Sequence, residues 1–235
     1  MQFTEEHNSL RKTVHDFVNQ EMDPFIDEWE HEGIAPLHSL FKKMGNLGLL
    51  GIQKPEAYGG AGLDYSYNLV FAEEIGRAYG GSIPMAIGVQ TDMATPALAR
   101  FGSDELKREF LAPAIAGDMV ACIGVSEPGA GSDVAGLKTS ARTDGDDFII
   151  NGTKMWITNA QYSDIAFVYT RTGQEKKNVS TFILEKDKGH FEAGKPIHKM
   201  GMRGSPTGEL IFDNAKVSKE HLVGAVGDST DRKST

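Results

Sequence analysis

The first half of the chain has apolar residues at the three- and four-residue intervals of amphipathic helices. Thr4 is placed to cap the first helix, because two glutamates follow it before the apolar positions begin. Further helices are predicted at 34–49, 67–78 and 83–101, and Ser103 is predicted to cap another. This half is therefore predicted to be all-α.

After Met119 the pattern changes to short apolar runs that alternate with a period of two. Strands are predicted at 146–159, 163–172, 179–187 and 207–218, each rich in β-branched or aromatic residues. Asn151-Gly152 is expected to divide the first run into a hairpin with a type I′ turn. The predicted fold class is α+β and multidomain, with a helical domain followed by a β-barrel or sandwich.

This change of period divides the chain into two domains and a tail. Residues 1–118 are predicted to form the N-terminal helical domain, and 119–224 a middle β-domain. The remaining segment, 225–235, is polar and lacks a hydrophobic anchor, so disorder is predicted there.

Charge, hydrophobicity and cysteine content argue against several classes of binding partner and bound group. Lys+Arg number 24 against 33 Asp+Glu, a net charge of −9, which argues against nucleic acid and anionic membranes as partners. No run approaches the length of a membrane span. Cys122 is the only cysteine and the seven histidines lack close ligand spacing, so neither a disulfide nor a metal site is predicted. A cytoplasmic location is expected, or the mitochondrial matrix if a transit peptide precedes this chain.

A glycine-rich turn, "SEPGAGSDVAG", lies at the start of the β-half. Its glycines could simply permit positive φ in a loop between domains. A dinucleotide fingerprint is excluded because Val134 stands at the third glycine position, and no Gly-Lys-Ser/Thr follows as in a Walker loop. The remaining alternative is a nest of backbone amides, with the Ser126 and Ser132 hydroxyls, that holds a pyrophosphate.

Several motifs in order resolve these alternatives. The turn, the Asn-Gly pair and "WITN" at 156–159 resemble the acyl-CoA dehydrogenase flavoprotein family. The resemblance includes "YGGAGLDY" at 58–65, "ARFGSDELKREFLAPAIAGD" at 99–118 and "HKMGMRGSPTGELIFDNAKV" at 198–217, the last closest to isovaleryl-CoA and long-chain members. It implies a helical domain, a β-domain and a C-terminal four-helix domain, of which this chain is expected to lack the last.

The resemblance also implies a cofactor and its contacts. FAD is expected to lie along the glycine-rich turn, with Ser126 at the polar edge of the flavin and Ser132 where cofactor and acyl-CoA substrate meet. Trp156 is expected to flank one flavin face and Thr158 to reach the ring nitrogen that accepts hydride. The predicted cofactor-binding residues are Ile123, Gly124, Val125, Ser126, Glu127, Pro128, Gly129, Ala130, Gly131, Ser132, Trp156, Ile157 and Thr158.

The implied reaction is α,β-dehydrogenation of an acyl-CoA thioester, with electron-transfer flavoprotein as the acceptor of the electrons. The family's catalytic glutamate is expected beyond residue 235, so no catalytic residue is predicted here. A homo-oligomer is expected for the full-length form. The alternative hypothesis is a non-catalytic remnant or interaction module that retains the two-domain scaffold.

Overall fold

A computed structural model describes residues 3–174 and 178–229 of the chain. The first domain contains α1 (Glu5–Phe17), α2 (Ile26–Glu32), α3 (Leu37–Asn46), α4 (Tyr65–Ile75), α5 (Ser82–Gly88), α6 (Thr95–Phe101), α7 (Asp104–Leu106) and α8 (Ala112–Ile115). The π-helical segments Val18–Met22, Val89–Ala94 and Lys107–Leu111 continue α1, join α5 to α6 and join α7 to α8.

The predicted helices are present, with shorter bounds in places. At α1 the Thr4 backbone N–H donates to His7 Nδ1 at 3.1 Å, so a histidine performs the role that Glu or Gln has in a capping box. Ser103 Oγ accepts the Leu106 N–H as predicted. The helix predicted at 34–49 ends at Asn46, because Gly48 adopts a φ of +73° and reverses the chain.

The second domain is one seven-stranded mixed sheet. Its strands are β1 (Ala121–Gly124), β2 (Ser140–Asp144), β3 (Asp147–Thr158), β4 (Ile165–Arg171), β5 (Val179–Glu185), β6 (Glu192–Ala193) and β7 (Thr207–Ser218). Their order is β1-β4-β2-β3-β7-β6, with β5 paired to β4. Together with the helical first domain, the sheet confirms the predicted fold class.

The predicted Asn151-Gly152 hairpin is wrong. Residue 144 pairs with residue 147, so the turn between β2 and β3 is Gly145-Asp146, where Gly145 has a φ of +64°. Gly152 lies inside β3 with a φ of +146°, and a Cβ there would be 2.5 Å from Thr139 Oγ1. The glycine at 152 is therefore required by a local irregularity of the β3–β7 ladder and by close packing, not by a turn.

Buried amide side chains join the two domains. Gln90, in the π-helical segment, accepts the Ala121 N–H at 2.7 Å and donates to Met119 O at 2.9 Å. Asn159, just after β3, donates to Ala86 O at 3.0 Å. These bonds satisfy backbone groups at the domain junction and fix β1 and the end of β3 against the helix that begins at Ser82.

The start of the tail differs from the predicted disorder. Ser229 is buried, its N–H donates to Val179 O at 2.8 Å, and its hydroxyl bonds Thr181 Oγ1 at 2.9 Å. Residues 225–229 therefore run beside β5, because small polar residues can satisfy the edge of a strand without a hydrophobic anchor. Residues 230–235 lie outside the described part of the chain.

Among the described residues, no helix is both long enough and apolar enough to cross a bilayer.

Candidate functional site

A cavity of about 540 Å³ lies between the two domains. The helical wall consists of Val89, Asp92, Met93, Pro96, Ala97, Arg100 and Phe101, which follow one face of the segment from Val89 to Phe101. The β-domain wall consists of Ile123, Val125, Ser126, Trp156, Ile157, Thr158 and Tyr169. The cavity is mostly apolar, and its few polar groups come from both walls, as in many small-molecule sites.

A β-bulge positions Trp156 in this cavity. Lys154 pairs with Leu210 and Ile157 with Gly208, so two residues of β3 oppose one of β7. Trp156 occupies the bulge with a φ of +64°, a conformation that is strained for a bulky residue. Its side chain is 61% exposed, so burial in the core does not explain its position. Strain of this kind, at a residue lining a cavity, is characteristic of functional sites.

The glycine-rich turn is bonded directly to the bulge. The Met155 N–H donates to Ser126 O at 2.9 Å, which fixes the turn beside Trp156. Within the described residues, the Ser126 and Thr158 hydroxyls make no hydrogen bond, although both residues line the cavity. Two hydroxyls are therefore available to a ligand on an otherwise apolar wall.

Residues 127–132 form a compact turn beyond this cavity. Glu127 and Ala130 exchange two backbone hydrogen bonds of 2.8 and 3.1 Å around Pro128-Gly129. Gly129 and Gly131 do not have positive φ, and a Cβ at either would meet no described atom within 4 Å. Neither backbone strain nor packing within the described chain requires these glycines. Their lack of side chains leaves the backbone open to the close approach of an external group.

A buried ion pair supports the turn from inside. The Glu127 carboxylate accepts Lys154 Nζ at 2.7 Å, the Lys138 N–H at 2.6 Å and the Thr139 N–H at 2.9 Å. Lys154 Nζ also donates to Val125 O at 3.0 Å. Burial by itself would raise the pKa of Glu127, but Lys154 and the backbone N–H groups outweigh burial and hold that pKa below its ordinary value. The pair connects the turn to β3 two residues before Trp156.

The predicted site residues thus divide into two groups. Ile123, Val125, Ser126, Trp156, Ile157 and Thr158 are brought together around the cavity. Gly124 faces the interior, where a Cβ would be 3.1 Å from Lys154 Cγ, and the Glu127 side chain is bound by Lys154. The remaining predicted residues, Pro128, Gly129, Ala130, Gly131 and Ser132, lie on the turn outside the cavity lining.

Sequence reasoning missed the helical wall. Asp92 is the acidic residue among the cavity-lining residues, and its carboxylate accepts from Asn68 Nδ2 at 3.0 Å and Thr91 Oγ1 at 2.9 Å. Lys54 is buried nearby and donates to Thr91 O at 2.8 Å. Burial lowers the pKa of Lys54 to about 8, although the negative charge of Asp92 acts to raise it. The helical spacing of 89, 92, 93, 96 and 97 is the signal in the sequence, but the same spacing is typical of a face that packs in a core.

One cluster was also invisible to sequence spacing. Glu185, His190 and His221 place potential ligand atoms within 4.8 Å of one another. His190 Nδ1 accepts the Glu185 N–H at 3.1 Å, and His221 Nδ1 bonds Ile183 O at 3.0 Å. The Lys216 backbone also forms a hydrogen bond with His190. Burial and the neighbouring His221 lower the pKa of His190. These backbone bonds occupy His190, so the cluster is a weak candidate for a metal site.

Two family models match the chain. The model for "Acyl-CoA dehydrogenase, N-terminal domain" matches residues 4–118, and the model for "Acyl-CoA dehydrogenase, middle domain" matches residues 122–215. Together they cover both structural domains.

Individual proteins are similar over nearly the whole chain. A "Probable acyl-CoA dehydrogenase" of Bacillus subtilis is 38% identical over 96% of this chain and 38% of its own length. The mitochondrial isovaleryl-CoA dehydrogenase of Pongo abelii is 36% identical over 94% of this chain and 53% of its own length. The crystal structure of an acyl-CoA dehydrogenase complexed with FAD from Bacillus anthracis has a TM-score of 0.91 at 35% identity, covering 97% of this chain and 38% of that one. The chain thus spans roughly two fifths to one half of the length of these proteins.

Proposed function

The chain belongs to the acyl-CoA dehydrogenase family, and from that premise we propose that it forms the FAD-binding part of an acyl-CoA dehydrogenase. The proposed reaction removes two hydrogens across the Cα–Cβ bond of an acyl-CoA thioester. Relatives with this activity in their names favour the enzyme hypothesis over a non-catalytic interaction module.

The observation that carries this proposal is the cavity between the domains. It combines an exposed tryptophan held in a strained bulge with two hydroxyls, of Ser126 and Thr158, that make no hydrogen bond within the described residues. A flat ring with a polar edge requires this combination of an apolar wall and a few fixed hydrogen-bonding groups. Gly129 and Gly131 add a stretch of backbone open to close approach. The residues present therefore fit FAD.

Each residue group has a distinct proposed role. The Ser126 and Thr158 hydroxyls bond the polar edge of the isoalloxazine, and Trp156 packs against one of its faces. The turn at 127–132 offers backbone amides to the pyrophosphate, with Ser132 at the junction between cofactor and acyl-CoA. Gly124 and Glu127 have a supporting role, because they shape and hold the loop that carries Ser126.

FAD supplies the hydride acceptor for the β hydrogen. The residues of this chain orient the ring and exclude water from it, which protects the reduced cofactor and strengthens polar contacts. The carboxylate that removes the α proton is assigned to no residue of this chain. In the family resemblance this carboxylate belongs to the C-terminal four-helix domain.

The electron acceptor, the self-association and the location of the protein are proposed on the same premise. An electron-transfer flavoprotein reoxidises the flavin, and the full-length form assembles with copies of itself. The location is the cytoplasm, or the mitochondrial matrix in a cell that directs the protein there. Both bacterial and mitochondrial relatives are compatible with this choice.

Titration of the purified 235-residue chain with FAD tests the proposal. We expect saturable binding at one FAD per chain, measured by the change in flavin absorbance. Ser126→Ala and Thr158→Ala should each weaken binding about tenfold, since each removes one hydrogen bond to a desolvated group, worth about 1.4 kcal/mol.

The double variant Ser140→Ala/Thr143→Ala is the matched control, because both residues are exposed on β2 outside the cavity lining. It should bind FAD as the wild type does. Failure of the folded wild type to bind FAD would contradict the proposal. Equal binding by all variants would contradict the assigned hydroxyls.

A further inference from the structure

The ammonium group of Lys154 is buried next to the wall of the cavity. Its Nζ donates to Val125 O at 3.0 Å and to Glu127 Oε1 at 2.7 Å, and the side chain is fully buried. Val125 and Ser126 line the cavity, whereas Glu127 does not. The positive end of the ion pair is therefore the end that is hydrogen-bonded to the cavity wall.

The negative end of the pair is held on the other side. The Glu127 carboxylate also accepts the Lys138 N–H at 2.6 Å and the Thr139 N–H at 2.9 Å. Neither of these two residues lines the cavity. A group in the cavity is thus closer, through the Val125 carbonyl, to the positive charge of the pair than to its negative charge.

The peptide bond between Val125 and Ser126 is polarised by this ammonium group. The peptide is trans, so its C=O and its N–H point in opposite directions. Because the carbonyl is directed at the buried Lys154 Nζ, the Ser126 N–H is directed away from that interior, at a residue that lines the cavity. Within the described residues this N–H makes no hydrogen bond.

An amide in this position is a stronger donor than an ordinary amide. A carbonyl that accepts from a cation polarises its own peptide unit, and hydrogen bonds in series strengthen one another. In a mostly apolar cavity such a donor favours a group that gains negative charge during the reaction. Under the proposed function that group is the flavin, which accepts a hydride.

From this geometry we infer that Lys154 is a positioning residue that raises the reduction potential of the bound flavin, acting through the Val125–Ser126 peptide. The inference rests on the proposed function. The potential rises only where reduced FAD is bound more tightly than oxidised FAD. A merely structural support of the loop affects the binding of both forms equally and leaves the potential unchanged.

Lys154→Met removes the ammonium group, and Arg11→Met is its matched control. Arg11 Nη1 donates to the buried carboxylate of Glu74 at 2.6 Å, so the control also takes a cation from a buried carboxylate and lowers the net charge by one. Arg11 and Glu74 belong to α1 and α4 and lie outside the cavity lining. The control therefore reproduces the loss of a buried ion pair without a change at the cavity wall.

The experiment measures the reduction potential of each FAD-loaded chain, freed of unbound FAD, by reductive titration with reference dyes. We expect Lys154→Met to lose about tenfold more affinity for reduced than for oxidised FAD, which lowers the two-electron potential by about 30 mV. Arg11→Met should keep the wild-type potential. Glu127→Gln/Lys154→Met, which removes both charges, should show about a threefold effect and lie about 15 mV below the wild type.

The outcomes separate this inference from the proposed function. If FAD binds but Lys154→Met and the double variant keep the wild-type potential, the role of Lys154 is overturned and the proposed function stands. A higher potential in Lys154→Met, or an equal fall in Arg11→Met, overturns that role as well. Should Lys154→Met fail to hold FAD, the double variant decides the test. If the folded wild type does not bind FAD, the proposed function and this inference are overturned together.

Discussion

Replacement of Lys154 by methionine tests whether the buried ion pair supports the site. Lys154 is fully buried and its Nζ lies 2.7 Å from Glu127 Oε1, with a second bond to Val125 O. Methionine fills a similar volume but leaves the Glu127 carboxylate without its counter-charge. The Lys138 and Thr139 N–H groups continue to donate to that carboxylate.

The expected magnitude follows from these contacts. At 2.7 Å the two charges attract by about 6 kcal/mol for an effective dielectric constant of about 20, most of which offsets their desolvation. Removal of one partner of a buried pair costs about 3–5 kcal/mol. Because two backbone donors still bond Glu127, we expect a loss near the lower limit, about 3 kcal/mol in the free energy of unfolding.

Urea denaturation of the wild type, Lys154→Met and Glu127→Gln/Lys154→Met measures this loss. The double variant should recover about 1–2 kcal/mol, because a neutral amide replaces the unpaired carboxylate. FAD affinity of folded Lys154→Met should also fall about tenfold, since the Ser126 loop loses its support (about 1.4 kcal/mol). The reasoning is refuted if Lys154→Met loses less than about 1 kcal/mol, or if it keeps wild-type affinity for FAD.

Three further predictions concern single residues. Trp156→Gly should raise the free energy of unfolding by about 1 kcal/mol, because glycine relieves the strain at a φ of +64°. The affinity for FAD should fall at the same time. A variant that is less stable than the wild type and binds FAD equally tightly would contradict the assignment of Trp156 to the flavin site. Gly131→Val should weaken FAD binding without loss of stability, since a Cβ there meets no described atom within 4 Å. FAD titration and urea denaturation measure these two effects. An unchanged affinity for FAD would refute the proposal that the cofactor closely approaches the backbone at Gly131. Burial lowers the pKa of Lys54 to about 8 from 10.5, so between these pH values the unfolded chain binds the proton that the folded chain has released. The wild type should therefore gain about 3 kcal/mol of stability relative to Lys54→Met as pH rises from 8 to 10.5, and a flat difference in urea denaturation would contradict this.

Hydrophobic periodicity predicted a helical half followed by a β half and located the runs that contain β3, β4, β5 and β7, but it did not predict α2, β1, β2 or β6. The change of period after Met119 lies between α8 and β1, where the chain passes from one packing geometry to the other. The prediction failed at Asn151-Gly152, where a strong local turn signal lies inside a long strand. The Gly145-Asp146 pair forms the turn instead, and long-range pairing of β3 with β7 determines the outcome.

The candidate site was only partly predictable. Small residues and hydroxyls in the glycine-rich turn identified the Ser126 region, and the motif at 156–158 identified the strand opposite it. The bulge at Trp156 could not be predicted, because it depends on the register between β3 and β7. The contacts of Asp92 and Lys154 were also missed, since Asp92 meets Asn68 and Lys154 meets Glu127 only after each domain has folded.

Hydrogen–deuterium exchange of the 235-residue chain, with and without FAD, tests the central claim most directly. The account predicts that FAD slows exchange at the amides of 125–132 and 155–158 together, while the amides of β6, which lies outside the cavity lining, are unaffected. Protection confined to other parts of the chain, or no protection at saturating FAD, would contradict the claim that the glycine-rich turn and the tryptophan bulge form one flavin site.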